Sequence, residues 1–211
     1  MNLQEQLLEH ANASANRLPQ AALDIMKKAV NDLKISTLTN KSKKSGVQIP
    51  NVTLNNHLGE VVNLYDRLKQ SPLVITFYRG GWCPYCNIQL QAFQKHLDEI
   101  KAKGANLIAI TPEHIDDSLS TLEKNNLDFE ILTDTDNSYA KSLHLAYELP
   151  EELVTLYKKF GIDLAKSQLN EANELPISAT YVVDQLGQIT YHYIEPDYKL
   201  RAPIEEVLKA L

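Results

Sequence analysis

Two cysteines and one tryptophan are all that 211 residues offer of either type, and the cysteines stand three positions apart, at 83 and 86. A secreted scaffold held by disulfides would carry more cysteines, spread along the chain, so that class is excluded. No apolar run approaches the roughly 18 residues that a membrane span needs. The first ten residues lack both a basic start and an apolar stretch, so no signal peptide is expected and the expected location is cytoplasmic. Positive charge is also in short supply. The formal net charge is −6, which argues against nucleic acid as the main partner. There is no second Cys-x-x-Cys and no His-x-x-x-His, and the six histidines (10, 57, 96, 114, 144 and 192) are scattered. No metal site and no organic cofactor are therefore expected.

What the chain does contain is a hydrophobic fraction of 44%, enough for a sizeable core in one domain with an appendage. Leu18, Ala22, Ile25, Ala29 and Leu33 recur at helical spacing, with Pro19 suited to a first turn, so residues 1–40 read as a helical N-terminal extension. Residues 40–46, Asn-Lys-Ser-Lys-Lys-Ser-Gly, read as a solvated linker into a domain over 45–211. Through Lys44 there are seven Lys/Arg against four Asp/Glu, which reads as an ordinary solvated basic segment.

Beyond the linker, strands and helices alternate. Val47–Leu54 and Val61–Leu64 suggest a hairpin, and Leu73–Tyr78 is a continuous apolar run typical of a buried strand. Leu90, Phe93, Leu97 and Ile100 predict one amphipathic helix that stops at Gly104. A strand at 106–111, a helix near 116–125 and a strand at 129–132 follow. Asp136 is expected to cap a helix running to Leu145, and Glu151–Phe160 to form the next. Residues 161–178 look irregular, strands at 179–184 and 189–194 make a hairpin, and Pro203 opens the last helix. The expected class is α/β, a mixed central sheet flanked by helices.

The chemistry concentrates at Gly80-Gly81-Trp82-Cys83-Pro84-Tyr85-Cys86, between the end of a buried strand and the start of a helix. A helix start presents unpaired N–H groups and the positive end of the helix dipole, which favour a thiolate. The thiolate is the attacking form in both disulfide exchange and peroxide reduction. One helical turn brings the second sulfur within bonding reach, and Pro84 has no N–H to lose at that point. Redox catalysis by Cys83 and Cys86 is the leading reading. An inert pair fits the strand–turn–helix context poorly, and a metal or cluster module would need two chains to supply four thiolates. Trp82 is a candidate shield or docking surface, or a core-edge filler, and Tyr85 a candidate hydrogen-bond partner near the sulfur. Gly80 and Gly81 permit a close backbone path but also suit a plain turn. Glu174 is a weak candidate proton shuttle.

The segment Tyr78-Arg79-Gly80-Gly81-Trp82-Cys83-Pro84-Tyr85-Cys86-Asn87 closely resembles the signature of peroxiredoxin-like proteins of the alkyl hydroperoxide reductase/thiol-specific antioxidant group. The likeness continues in Ser118–Thr121, Glu123–Asn125, Leu149–Leu153, Ala179–Asp184 and Pro196–Tyr198, and so covers nearly the whole chain. It implies a thioredoxin-like fold and an antioxidant oxidoreductase that reduces hydroperoxides through a Cys83/Cys86 dithiol–disulfide cycle. It also implies a thioredoxin- or glutathione-type reductant, with homodimer formation left open. The ordinary motif of the group, Pro-x-x-x-Thr-x-x-Cys, lays Cys86 on the peroxide-attacking cysteine, Cys83 on the threonine and Arg79 on the proline. The group's later arginine, and the cis-proline of thioredoxin-like folds, would fall near Ser178, and Arg79 and Arg201 are the candidates to stand in for that arginine. Seen from thioredoxins and glutaredoxins, Trp-Cys-Pro-Tyr-Cys makes Cys83 the exposed nucleophile and Cys86 the resolving thiol. The alternative function on that view is thiol–disulfide exchange without peroxide chemistry.

Overall fold

The computed structural model describes residues 1–211. Two long helices come first, α1 (Leu3–Arg17) and α2 (Gln20–Ile35), then the single turn α3 (Leu38–Lys41). Strands β1 (Thr53–Asn56) and β2 (Val61–Asn63) precede α4 (Leu64–Leu68) and the buried strand β3 (Leu73–Phe77). Helices α5 (Pro84–Lys95) and α6 (Leu97–Ala102) lead to β4 (Asn106–Thr111), α7 (Ile115–Asn125) and β5 (Glu130–Thr133). Next come α8 (Ser138–Ser142), β6 (Ala146–Glu148), α9 (Glu151–Lys159), α10 (Leu164–Gln168) and β7 (Glu174–Pro176). The hairpin β8 (Ser178–Val183) and β9 (Ile189–Glu195) and the last helix α11 (Ile204–Lys209) complete the chain.

Seven strands form one mixed sheet in the order β2-β1-β5-β4-β3-β8-β9, and β6 and β7 pair separately. β3 runs parallel to β4 and antiparallel to β8, so it has hydrogen-bonded neighbours on both sides. Helices cover both faces, which is why all five of its residues are buried. Val74 faces a core shared with Leu90, Phe93 and Ile100, whereas Leu73, Ile75 and Phe77 face the opposite core with Leu64, Ile110 and Tyr181. This is the alternation a strand requires. Where β3 ends, the chain turns directly into α5, and the sheet thus holds the mouth of that helix in place.

The N-terminal helices pack onto this framework. Asn2 caps α1 through the Glu5 N–H, Glu5 reaches back to the Asn2 N–H, and the two bonds form a reciprocal capping box. Leu3 and Leu7 sit 5% and 4% exposed in the same core as Cys83 and Leu90. The α2 residues Ala22, Ile25 and Met26 pack with Leu153 and Leu156 of α9. Leu7→Ala should therefore cost about 2–4 kcal/mol of folding stability in chemical denaturation. A helix that was merely appended would lose far less.

Several local expectations need correction. The segment over 40–46 is tied down rather than free: Ser42 Oγ donates to the His144 carbonyl (2.8 Å), Tyr181 Oη to the Lys43 carbonyl (3.2 Å), and Ser45 meets His192. Pro19 stands at the N-cap of α2 rather than in its first turn. The strand expected at Val47–Leu54 is broken around Pro50, so only Gln48 bridges to Gln188 before β1 begins at Thr53. The helix expected through Ile100 breaks at His96, and α6 restarts with Asp98 and Glu99 favourably placed in its first turn. Asp134, rather than Asp136, caps α8 most fully, accepting from the Tyr139 and Ala140 N–H groups at 3.0 and 2.9 Å. Residues 161–178 hold α10 and β7. No cis peptide occurs at Ser178 or elsewhere.

Candidate active site

The end of β3 delivers Tyr78 and Arg79, and the backbone then folds tightly through two glycines. Gly80 adopts φ +151°, and a methyl group there would collide with the Trp82 indole nitrogen and the Glu113 carboxyl group. A methyl group on Gly81 would run into the Thr121 hydroxyl. Both glycines are thus demanded by close approach, which a plain turn would not require. Cys83 is the N-cap residue of α5 with Pro84 next to it, and the Cys86 and Asn87 N–H groups both donate to the Cys83 carbonyl. Its side chain receives no backbone N–H. The donors expected from the helix mouth are supplied from elsewhere.

They come from two arginines. Arg79 Nη2 donates to Cys83 Sγ at 3.0 Å, and Arg201 Nη2 donates to Cys86 Sγ at 3.3 Å. Both sulfurs are fully buried, and Arg79 and Arg201 are only 3% and 2% exposed. Arg79 is fixed by a second bond to Tyr157 Oη (2.9 Å) and by the rings of Tyr198 and Trp82, whose centroids lie 4.1 and 5.1 Å from its guanidinium carbon. Arg201 is fixed by Gln89 Oε1 (2.7 Å) and by the Leu200 and Tyr198 carbonyls. Gln4 of α1 donates to the Arg201 carbonyl at 3.0 Å, so the N-terminal helix steadies the loop that carries this cation.

This arrangement separates the two thiols. Burial alone would raise Cys83, but the Cys86 thiol donating to it and the two guanidinium groups outweigh burial and hold it well below the ordinary cysteine range. Burial and the neighbouring Cys83 anion push Cys86 well above it. The surroundings thus favour the anion on Cys83 and the proton on Cys86.

Of the other residues singled out from sequence, Tyr85 is buried, edge-on to His10 and Tyr198, and makes no direct bond to sulfur. Trp82 is half-buried beside Tyr157, and Pro84 is exposed. Glu174 lies in β7 in an ion pair with Lys141 (2.6 Å), away from the sulfurs. Tyr157 and Tyr198, which hold Arg79, were not singled out as site residues.

Glu113 was missed as well. It follows β4, is 3% exposed, and accepts the Gly81 N–H at 2.7 Å. Its position just past the carboxyl end of an inner strand, beside the active turn, is the signal that could have found it. Burial, with smaller contributions from Asp117 and Cys86, raises its pKa to about 7 against bonds from Gly81 and Ser167 that lower it. The folded protein thus binds this proton more tightly than the unfolded chain. The stability that follows is complete below the ordinary 4.5 and is lost as pH rises through about 7. Glu113→Gln should remove that dependence, making the variant's stability relative to wild type roughly 3 kcal/mol more favourable at pH 8 than at pH 4. Denaturation at the two pH values reads the difference directly, and a constant offset would mean that the carboxyl group titrates normally.

No helix is long and apolar enough to cross a membrane, and no three His, Cys, Asp or Glu side chains are grouped to hold a metal ion.

Comparison with known proteins places this geometry in context. Residues 45–192 match the model of the AhpC/TSA family. The chloroplastic peroxiredoxin Q of Oryza sativa subsp. japonica is 29% identical over 166 residues, 79% of this chain and 65% of that protein. Peroxiredoxin Bcp of Escherichia coli (strain K12) is 32% identical over 94 residues, 44% of this chain and 60% of that protein. The chain thus spans about 65% of the length of the rice protein. Among solved structures, peroxidoxin BcpB from Mycobacterium tuberculosis superposes with a TM-score of 0.62 at 16% identity, covering 79% of this chain and 95% of that one. The bacterioferritin comigratory protein of Xanthomonas campestris gives 0.60 at 16% identity, covering 79% and 96%. At such identity the likeness establishes a thioredoxin-like fold.

Proposed function

From the chain's membership of the AhpC/TSA family, shown by its match over residues 45–192, we propose that it is a thiol peroxidase working through a Cys83/Cys86 dithiol–disulfide cycle. The observation that carries the reading is the wholly buried Cys83 sulfur, which Arg79 Nη2 meets at 3.0 Å and whose thiol the two guanidinium groups draw well below the ordinary range. The thiolate attacks the terminal peroxide oxygen, forming an S–O bond as the O–O bond breaks. The alkoxide or hydroxide leaves and takes a proton, and Cys83 becomes a sulfenic acid. The Cys86 sulfur then displaces that oxygen as water, giving the Cys83–Cys86 disulfide. An external thioredoxin-type dithiol, or two glutathione-type thiols, returns two electrons and two protons and is itself oxidised to a disulfide. Arg79 steadies the attacking anion, and Arg201 favours the anionic form that Cys86 must reach in the second step.

Exchange with large disulfides is the competing activity, and the complete enclosure of both sulfurs speaks against it, because a bulky disulfide has no line of approach. The same enclosure disfavours a metal or cluster bridged between two chains. A compartment that keeps the dithiol reduced, cytoplasmic by preference, suits the cycle, as does a division into a helical extension over 1–40 and a catalytic domain over 45–211. Homodimer formation is a separate matter, read by the mass of the protein in solution. Stoichiometric hydroperoxide added to the reduced protein tests the function. Thiols should disappear far faster than in free cysteine and yield an intramolecular disulfide, whereas a rate near that of free cysteine would reject the peroxidase.

A further inference from the structure

One buried acid beside the active turn takes no part in the sulfur chemistry. Glu113 accepts the Gly81 N–H on Oε2 at 2.7 Å and the Ser167 hydroxyl of α10 on Oε1 at 3.4 Å, so a residue just past β4 holds both the turn and α10. The peptide that supplies the Gly81 N–H also supplies the Gly80 carbonyl, and that carbonyl accepts the Cys83 N–H at 3.1 Å. A single peptide plane therefore links the Glu113 carboxyl group to the residue that bears the sulfur. A methyl group on Gly80 would lie 2.4 Å from Trp82 Nε1 and 2.6 Å from Glu113 Oε1, and that indole N–H is enclosed without a partner. An ionised Glu113 thus has a second donor of the turn close by. On its other side Glu113 lines a polar cavity of about 610 Å³ between α7 and α10, through which its proton can exchange with water. The titratable groups that face it are Tyr78 after β3, Cys86 on α5 and Asp117 on α7, while His114, Asp116, Lys124, Asp163 and Lys166 share the cavity. A backbone N–H binds a carboxylate more strongly than a neutral carboxyl group. Ionisation therefore tightens the hold on Gly81, even though the added buried charge weakens the fold as a whole.

We propose that Glu113 is a positioning residue of the thiol site, fixing the turn that carries Cys83 through the Gly81 N–H and fixing it more firmly once ionised. Local order and overall stability then respond to pH in opposite directions. As pH rises through about 7 the fold loses stability, whereas the turn is better held and Cys83 becomes more reactive. The inference rests on Cys83 as the reacting sulfur, but alkylation measures it without any peroxide. The test compares the wild type with Glu113→Gln, which keeps an oxygen for the Gly81 N–H and cannot ionise. Alkylation of Cys83 by iodoacetamide, located by mass spectrometry, is expressed as the ratio of the wild-type rate to the variant rate, in which the titration of Cys83 itself cancels. That ratio should stay near one at about pH 5 and rise at least about threefold by about pH 8. Over the same range, denaturation should show the wild type losing stability relative to the variant. Glu113→Ala, which leaves the Gly81 N–H without its acceptor, should be alkylated more slowly than Glu113→Gln at every pH. A ratio that stays constant, or that falls together with stability, overturns the proposal, and so does equal reactivity of the Gln and Ala variants. A rising ratio in a protein that hydroperoxide does not oxidise would keep Glu113 in this role while rejecting the peroxidase reading.

Discussion

Cys83→Ser should abolish oxidation by stoichiometric hydroperoxide, lowering the single-turnover rate by at least about 10³-fold, because the attacking anion itself is removed. Cys86→Ser should behave differently: the first step survives, and the product stops at a Cys83 sulfenic acid, detectable by trapping and mass spectrometry. The structure supplies the reason for the asymmetry. Arg79 faces Cys83 directly, and burial beside a Cys83 anion pushes the Cys86 thiol well above its ordinary range. Alkylation well below the pH where free cysteine reacts should therefore persist in Cys86→Ser and vanish in Cys83→Ser. The reverse pattern would place the nucleophile at Cys86, where alignment with ordinary peroxiredoxins puts it. Arg201, 3.3 Å from Cys86, would then be the activating cation.

Arg79→Met should be nearly as damaging. An opposite charge within bonding distance of a buried anion is worth one to three pKa units, and here it also supplies the hydrogen bond. Without it, burial dominates and the Cys83 thiol should titrate upward. At pH values below the new pKa, alkylation and peroxide oxidation should slow at least about tenfold and recover as pH is raised through it. That recovery separates lost activation from lost structure, since a misfolded variant would not regain its rate at high pH. Arg79→Lys should recover part of the loss only, because an ammonium cannot hold the sulfur, the Tyr157 hydroxyl and the faces of two aromatic rings in one planar group.

The inner strands and the cysteine turn were legible because their signals are local. Leu73–Tyr78 is a continuous apolar run, and a glycine pair before Trp-Cys-Pro-Tyr-Cys marks a tight strand-to-helix turn. The two arginines divide on the same ground. Both were nominated from sequence as stand-ins for the group's later arginine, but Arg79, four residues from Cys83, aligns with a proline that gives no hint that it touches sulfur. Arg201 lies 115 residues from Cys86 and comes within reach only because the loop after β9 folds back under α1. Glu113 escaped notice for the same reason: only the parallel pairing of β3 with β4 brings it under Gly81. The closure of the linker onto the sheet likewise depends on Ser42 and Tyr181, each a side-chain-to-backbone bond across more than 100 residues. Helix α1 has little periodic apolar character, and two leucines on a mostly polar helix do not announce that they enter the core.

The enclosure of two guanidinium groups around the sulfurs has a consequence for the oxidised state. When the disulfide forms, the one anion between them disappears, and both cations face neutral sulfur in a site closed to water. An uncompensated buried charge costs several kcal/mol, whereas closing so short a loop restricts the unfolded chain far less than a long-range crosslink does. The balance then runs against the usual expectation for a disulfide: the dithiol form should resist denaturant better than the crosslinked one. Electrostatic tension of this kind is relieved if Arg79 or Arg201 swings out to solvent, which would uncover the bond that a protein-sized reductant must reach. The charges that ready the sulfur for its oxidant would thereby also open the door to whatever restores it.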